Sequence, residues 1–173
     1  MEPYESAISW INEILGKYLY EGIFLAALLE TIIPPLPTLA VFPSAGFIAS
    51  QKGLSILEVI PMIIFGALGA TIGTTGIYLI SLKLGRGVML RYLRIFRISE
   101  CNIQRAEAWF ERHGDKAVFL GRMVPVMREM ISVPAGLLGM QVPKFILYTF
   151  GGSLVWSAGT ILAGYYFGTV WTK

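Results

Sequence analysis

Two long apolar blocks, residues 56–82 and 145–170, set the limits on what this chain can fold into. Each exceeds the roughly 20 residues that carry a helix across the hydrocarbon core of a bilayer. The composition agrees: of 173 residues 55% are hydrophobic and 14% charged, where an average soluble domain carries about 25% charged residues. Mean hydropathy is +0.65. The sequence predicts a multi-pass membrane protein. Cys101 is the single cysteine, which excludes an intrachain disulfide and a thiolate metal cluster. His113 and Asp115 are alone of their kinds, so the chain is poor in the usual catalytic groups.

The first block opens with Ser55-Ile-Leu-Glu58, a capping box that satisfies amides at a helix start. We expect a spanning helix over 55–82, with Pro61 early in it. It carries Gly66, Gly69, Gly73 and Gly76, spaced so that another helix can approach its backbone closely. The last block starts at Pro143, a good first-turn residue, and predicts a second span over 143–170. Ser153, Ser157, Gly164 and Gly168 repeat the small-residue device there. Both sets read as packing faces.

Between the spans, residues 83–114 carry Lys83, Arg86, Arg91, Arg94, Arg97, Arg105 and Arg112. The positive-inside rule makes this a cytoplasmic loop. Its charges set orientation and meet anionic headgroups; nucleic acid is not the partner they suggest. Ser99 is placed to cap an amphipathic helix ending near His113, with Gly114 as its stop. The N-terminal stretch begins acidic and lacks a basic region before an apolar core, so no cleavable signal peptide is evident. Residues 1–20 read as an interfacial amphipathic helix, with Ile8, Ile11 and Tyr18 on one side.

Two apolar stretches are broken. Residues 22–50 contain Pro34, Pro35, Pro37 and Pro43, and residues 117–140 contain Pro125 and Pro134. Neither half of either stretch is long enough to span. Proline in mid-run removes a backbone donor and bends the chain, and in lipid such backbone is tolerated only inside protein or along a cavity. We therefore expect two re-entrant hairpins. The order hairpin, span, loop, hairpin, span is a tandem repeat whose second copy is inverted, a transporter plan. A faint echo supports it: VFPSAGFIAS at 41–50 against ISVPAGLLGM at 131–140.

The second broken stretch carries Arg122, Arg128 and Glu129, and the first carries Glu30. A charge at membrane depth costs about 2.5–3.5 kcal/mol by insertion scales. Arg122 and Arg128 flank Pro125, and a break there can bring them to one cavity. Guanidinium groups match phosphate oxygens with paired donors, so the arginines are expected to bind a lipid headgroup. The alternative is that they bond carbonyls freed by the proline breaks, or pair with Glu30 and Glu129. Those two acids are the groups available for proton coupling or ion pairing. No metal set, cofactor motif or catalytic constellation is present, and the chain reads as a non-enzyme. The other reading is a proton-coupled carrier of a small ion or solute.

The second hairpin, FLGRMVPVMREMISVPAGLLGM followed by KFILYTFGGSLVW, resembles the signature of the DedA (VTT, SNARE-associated) membrane family. The first hairpin, LETIIPPLPTLAVFPSAGF, resembles that family's Glu…Pro-Pro-x-Pro segment. The similarity runs from about Glu30 to Gly168. It implies opposed re-entrant hairpins and movement of lipids between leaflets: undecaprenyl phosphate recycling, phosphatidylethanolamine flipping or, in eukaryotic relatives, scrambling. It also implies use of the proton motive force in some bacterial members. Two positions depart from the family's pattern. Leu39 follows Pro37-Thr38 and Thr74 follows Gly73, where many members have acids. Coupling, if present, then falls to Glu30 or Glu129, with Glu129 replacing the missing acid.

Overall fold

The structure is a computed structural model, which describes residues 18–32, 38–95 and 100–171. The expected interfacial helix therefore lies outside the described residues except at its end, as do Pro34, Pro35, Pro37 and Ser99. Among the described residues all regular structure is helical. In order come α1 (Leu19–Ile32), α2 (Thr38–Gln51), α3 (Ile56–Ile95), α4 (Glu100–His113), α5 (Lys116–Gly121), α6 (Pro125–Met130), α7 (Ser132–Leu137) and α8 (Val142–Trp171).

α3 and α8 contain the two stretches long and apolar enough to cross a membrane, Ile56–Lys83 and Val142–Val170. Only 44% and 33% of their most apolar windows are buried. Leu57, Ile72, Leu147, Phe167 and Val170 are among the large side chains they leave exposed. A helix with this much apolar surface in the open is suited to lipid and not to water. The capping box forms at the start of α3: Ser55 donates its backbone N–H and its hydroxyl to Glu58 Oε2, at 2.7 and 2.9 Å.

The helix boundaries differ from the sequence reading in one large respect. α3 does not stop near Leu82 but continues to Ile95. The basic residues Lys83, Arg86, Arg91 and Arg94 are thus helical. Lys, Arg, Leu and Met are good helix formers, and Gly85 and Gly87 alone do not stop them. At 40 residues the helix is about 60 Å long, twice the hydrocarbon thickness. Its charged end extends past the apolar stretch. α4 then covers the expected amphipathic segment and closes at Gly114, whose φ of 58° is left-handed.

The chain clusters into two compact units: residues 1–70 with 154–173, and residues 71–153. The first unit contains α1 and α2, 14 residues each and too short to span. Ile23 and Ala27 of α1, Phe42 and Ala45 of α2, Met62 of α3 and Ile161 of α8 share its apolar core. Pro43, counted above among the breaks, is instead inside α2. Close backbone approach explains the small residues. A Cβ on Gly69 would strike the Phe24 carbonyl oxygen, and one on Gly46 would strike the Ile161 carbonyl oxygen and come within 2.8 Å of the Tyr165 amide. Gly164 is held against the Pro43 carbonyl in the same way.

The second unit contains α4 to α7 and the adjoining halves of α3 and α8. Its core joins Tyr78, Val118, Ile131, Ala135 and Phe145, with Tyr78 and Phe145 stacked at 4.1 Å between ring centroids. Tyr78 also donates its hydroxyl to the Met140 carbonyl. Here too glycine backbone meets helix backbone. A Cβ on Gly136 would lie 2.6 Å from the Tyr78 carbonyl oxygen and 3.1 Å from the Leu82 amide. One on Gly152 would lie 2.9 Å from the Phe119 carbonyl oxygen. Gly76 is an exception to the packing face expected on α3, because nothing stands within 4 Å of it.

α2 and α7 end alike. Gly53 and Gly139 take φ of 68° and 69°. The amide of each bonds the carbonyl three residues back, and the next amide bonds five back: Leu54 to Ala49 at 3.1 Å, Met140 to Ala135 at 3.0 Å. This is the glycine helix stop that ties off terminal carbonyls.

Candidate functional site

The stretch from Lys116 to Leu137 is cut into three short helices, and Pro125 explains the first cut. The residue before a proline is pushed out of the helical region. Val124, before Pro125, is accordingly extended, at φ −104° and ψ 121°. Pro125 opens α6 at a position where its missing N–H is not needed. Pro134 does not itself interrupt a helix. It lies in the first turns of α7, and the break falls before it, at the turn residue Ile131.

Arg122 stands in the first break and Arg128 on α6. Both are buried, at 2% and 5% relative exposure. The backbone of Arg128 is tied to the break through its amide, which bonds the Val124 carbonyl at 2.9 Å. Arg122 donates from Nη2 to the hydroxyl of Thr74 on α3, and Thr74 in turn reaches the Thr71 carbonyl. On the opposite flank Arg122 leans on α8, where a Cβ added to Gly152 would lie 2.6 Å from its Cβ. Only glycine at 152 leaves this room. Thr74 is thus both the position where the DedA resemblance leads one to expect an acid and a direct partner of a buried arginine.

Three further buried polar side chains belong to the second unit. Thr149 and Ser153 lie on α8 about one turn before and just after Gly152. Ser132 follows Ile131, whose side chain faces Gly121, with a Cβ there 3.1 Å away. All three hydroxyls are buried and have no hydrogen-bond partner. The sequence reading assigned Ser153 to packing and passed over Thr149 and Ser132. A hydroxyl within an apolar helix ordinarily bonds the carbonyl a turn back, so nothing in the pattern set these apart. The i, i+4 spacing of Thr149 and Ser153, which puts them on one face of α8, was the available signal for those two.

The remaining expected site residues are distributed as follows. Glu30 is buried in the first unit, on α1, at 7% exposure. Glu129 lies on α6 beside Arg128, with its side chain outside the described residues. The second unit therefore holds both arginines, and its buried polar set has no carboxylate among the described residues. His113 ends α4, where its ring stacks on Trp109 at 4.1 Å between centroids and its Nδ1 lies 2.9 Å from the Trp109 carbonyl oxygen. No group of three or more His, Cys, Asp or Glu side chains among the described residues could hold a metal ion. Separately, the first unit carries an open apolar groove of about 730 Å³ lined by Pro43, Phe47, Ile48, Ala163, Gly164 and Phe167, with Ser44 at its edge.

Comparison with known proteins adds a second kind of observation. Residues 36–166 match the VTT domain. A Bacillus subtilis protein named undecaprenyl phosphate transporter A is 32% identical over 166 residues, covering 96% of this chain and 80% of its own length. The Staphylococcus aureus protein of the same name is 30% identical over 158 residues, 89% of this chain and 76% of its own. A Lactococcus lactis protein named alkaline phosphatase-like protein is 30% identical over 166 residues, 93% of this chain and 76% of its own. No solved structure matches the chain.

Proposed function

The chain belongs to the VTT domain (DedA) family, and from that premise we propose that it is a membrane transporter moving a phosphate-headed lipid between leaflets. The carrying observation is the burial of Arg122 and Arg128 in one unit. Buried cations in a membrane protein are costly and face the protein interior or a cavity, where they mark substrate paths. Two guanidinium groups are suited to a phosphate, whose oxygens accept paired hydrogen bonds that strengthen away from water. Thr74 orients Arg122 without neutralising it. The names of the Bacillus and Staphylococcus relatives favour undecaprenyl phosphate as the lipid. Its bare headgroup has no amine and so needs no acid.

Movement of the headgroup follows from an inverted repeat of two re-entrant hairpins, each working against the spans. The glycine contacts support this reading. Gly69 meets Phe24 as Gly152 meets Phe119, and Gly46 meets Ile161 and Tyr165 as Gly136 meets Tyr78 and Leu82. One common shift in residue number relates Gly69 to Gly152, Tyr78 to Ile161 and Leu82 to Tyr165. The echo between 41–50 and 131–140 pairs Gly46 with Gly136. The basic segment 83–114 is the cytoplasmic side under this reading.

The chain acts without catalysis in this account, despite the phosphatase-like name of the Lactococcus relative. Its single histidine is engaged by Trp109 at a helix end. A second reading, a proton-coupled carrier of a small ion or solute, is favoured by one observation: Glu30 is buried at 7% exposure. One pair of variants separates the two. Arg122→Lys keeps the charge and loses the fork, and Glu30→Gln removes an acid. Phosphate recognition predicts that the first abolishes lipid movement while the second leaves it measurable. Ion coupling predicts the reverse. Glu129 is assigned the coupling role of the missing acids, and Glu129→Gln should change the pH dependence of transport. An unchanged profile and rate would remove it from that role.

A further inference from the structure

Three buried hydroxyls of the second unit, on Ser132, Thr149 and Ser153, make no hydrogen bond within the fold. Several helix hydroxyls elsewhere among the described residues behave as the backbone geometry suggests. Thr31 bonds the Ala27 carbonyl at 3.1 Å, Thr75 the Thr71 carbonyl at 2.6 Å, Ser81 the Ile77 carbonyl at 2.9 Å and Thr160 the Trp156 carbonyl at 2.8 Å. Ser132, Thr149 and Ser153 do not, although each is buried to 4% exposure or less. A buried hydroxyl without a partner forfeits its hydration and gains nothing for it. One other hydroxyl among the described residues, Ser50 Oγ, is in the same state, in the first unit where Gly168 packs against it.

Placement distinguishes the three. They come from two different elements, α7 and α8, and each follows or precedes by at most three positions a residue packed on Gly121 or Arg122. Gly152 gives way to the Arg122 side chain, with Thr149 and Ser153 on the neighbouring positions of that helix face. Ile131 seats against Gly121, the residue before Arg122, and Ser132 follows Ile131 in the chain. Besides Thr74, which accepts from Arg122, the buried polar set of this unit holds two arginines and several hydroxyls and, among the described residues, no carboxylate.

We propose that Ser132, Thr149 and Ser153 are hydroxyl donors to the oxygens of a bound phosphate monoester, completing the site that Arg122 and Arg128 begin. The inference rests on the headgroup-binding reading above. Two arginines supply charge and direction, but a terminal phosphate has more acceptor positions than two forks fill. Hydroxyls can serve those positions without altering net charge, and they rotate to follow the headgroup as it moves. They give the site a preference for a terminal phosphate over a phosphodiester, whose substituted oxygen needs no such donors.

The test is binding of dodecyl phosphate to the full chain in lipid nanodiscs, with thermal unfolding measured on the same samples. Variants are Ser132→Ala, Thr149→Val and Ser153→Ala, singly and together. Each single change should weaken binding by roughly tenfold, the loss of one hydrogen bond to a charged group. Melting temperature should stay level or rise, because each variant removes a buried polar atom with no partner in the empty protein. Affinities within twofold of wild type, or lost affinity that tracks lowered melting temperature, would overturn the assignment. Arg122→Ala is the control for the parent reading. If it loses binding while the hydroxyl variants do not, only the hydroxyl assignment fails. If it also binds like wild type, both fail. Inorganic phosphate serves as a competitor. The lipid source predicts that it displaces dodecyl phosphate only at large excess, and equal or better binding of the free anion would overturn that source.

Discussion

In the first unit, Gly69 of α3 rests against Phe24 and Ala27; in the second, Gly152 of α8 rests against Phe119 and Arg122. The shift that pairs these glycines also pairs Gly66 with Thr149, Ala70 with Ser153 and Ile161 with Tyr78. The two units thus use similar backbone contacts and different side chains. Where the first is closed with alanine, glycine and isoleucine, the second has a guanidinium, two hydroxyls and a phenol. The difference teaches that the closest helix approaches here rest on glycine against backbone, with varied side chains around them. Chemistry can then be concentrated in one unit without redesigning the scaffold.

The sharpest way to probe the contrast is to exchange its central pair. Arg122→Ala, which gives the second unit the side chain of the first, should lower lipid transport about a hundredfold, the loss of two charge-assisted hydrogen bonds. Transport assays on proteoliposomes measure it, and folding should survive. Ala27→Arg forces a cation into an apolar core and should destabilise the fold by about 3–5 kcal/mol, seen as a lower melting temperature in detergent.

The shared contacts are tested next. Gly46→Ala and Gly136→Ala each drive a methyl group into helix backbone, at Ile161 and at Tyr78. Both should destabilise by about 1–3 kcal/mol in thermal unfolding. Equal costs support equivalent roles, and a neutral outcome at one breaks the comparison. Gly76→Ala meets open space and should be neutral or stabilise by up to about 1 kcal/mol.

Thr74→Val removes the acceptor of Arg122 while keeping the shape. It should cost about 1–3 kcal/mol and reduce transport by roughly tenfold through a misdirected arginine. The smallest effect expected is at the capping box. Glu58→Ala removes the carboxylate that receives both bonds from Ser55, costing about 1 kcal/mol with transport unchanged, as befits an exposed capping residue.

Much of this architecture was legible because hydropathy and proline act locally. The spans, the breaks around Pro125 and the glycine stop after α4 follow from length, missing amides and left-handed φ. The burial of Arg122 and Arg128 was legible from cost, since charges in an apolar run must be sheltered. The end of α3 was not, because charge clusters mark a membrane exit and do not end a helix. Pro43 belongs to the proline-rich stretch yet is helical, because a proline's effect depends on which carbonyl it would have bonded. The link between Arg122 and Thr74, and the unused hydroxyls at 132, 149 and 153, were invisible for another reason. They depend on which helix faces meet, and the period of one helix does not state its neighbours.

The central claim is that the buried arginines of the second unit carry a lipid phosphate across the membrane. Its most direct measurement is leaflet exchange of a labelled polyprenyl phosphate in liposomes containing the wild type or Arg128→Ala. The account predicts rapid exchange with wild type and only the protein-free rate with the variant. Equal rates for the two proteins, or no exchange of any phosphate-headed lipid with wild type, would contradict it.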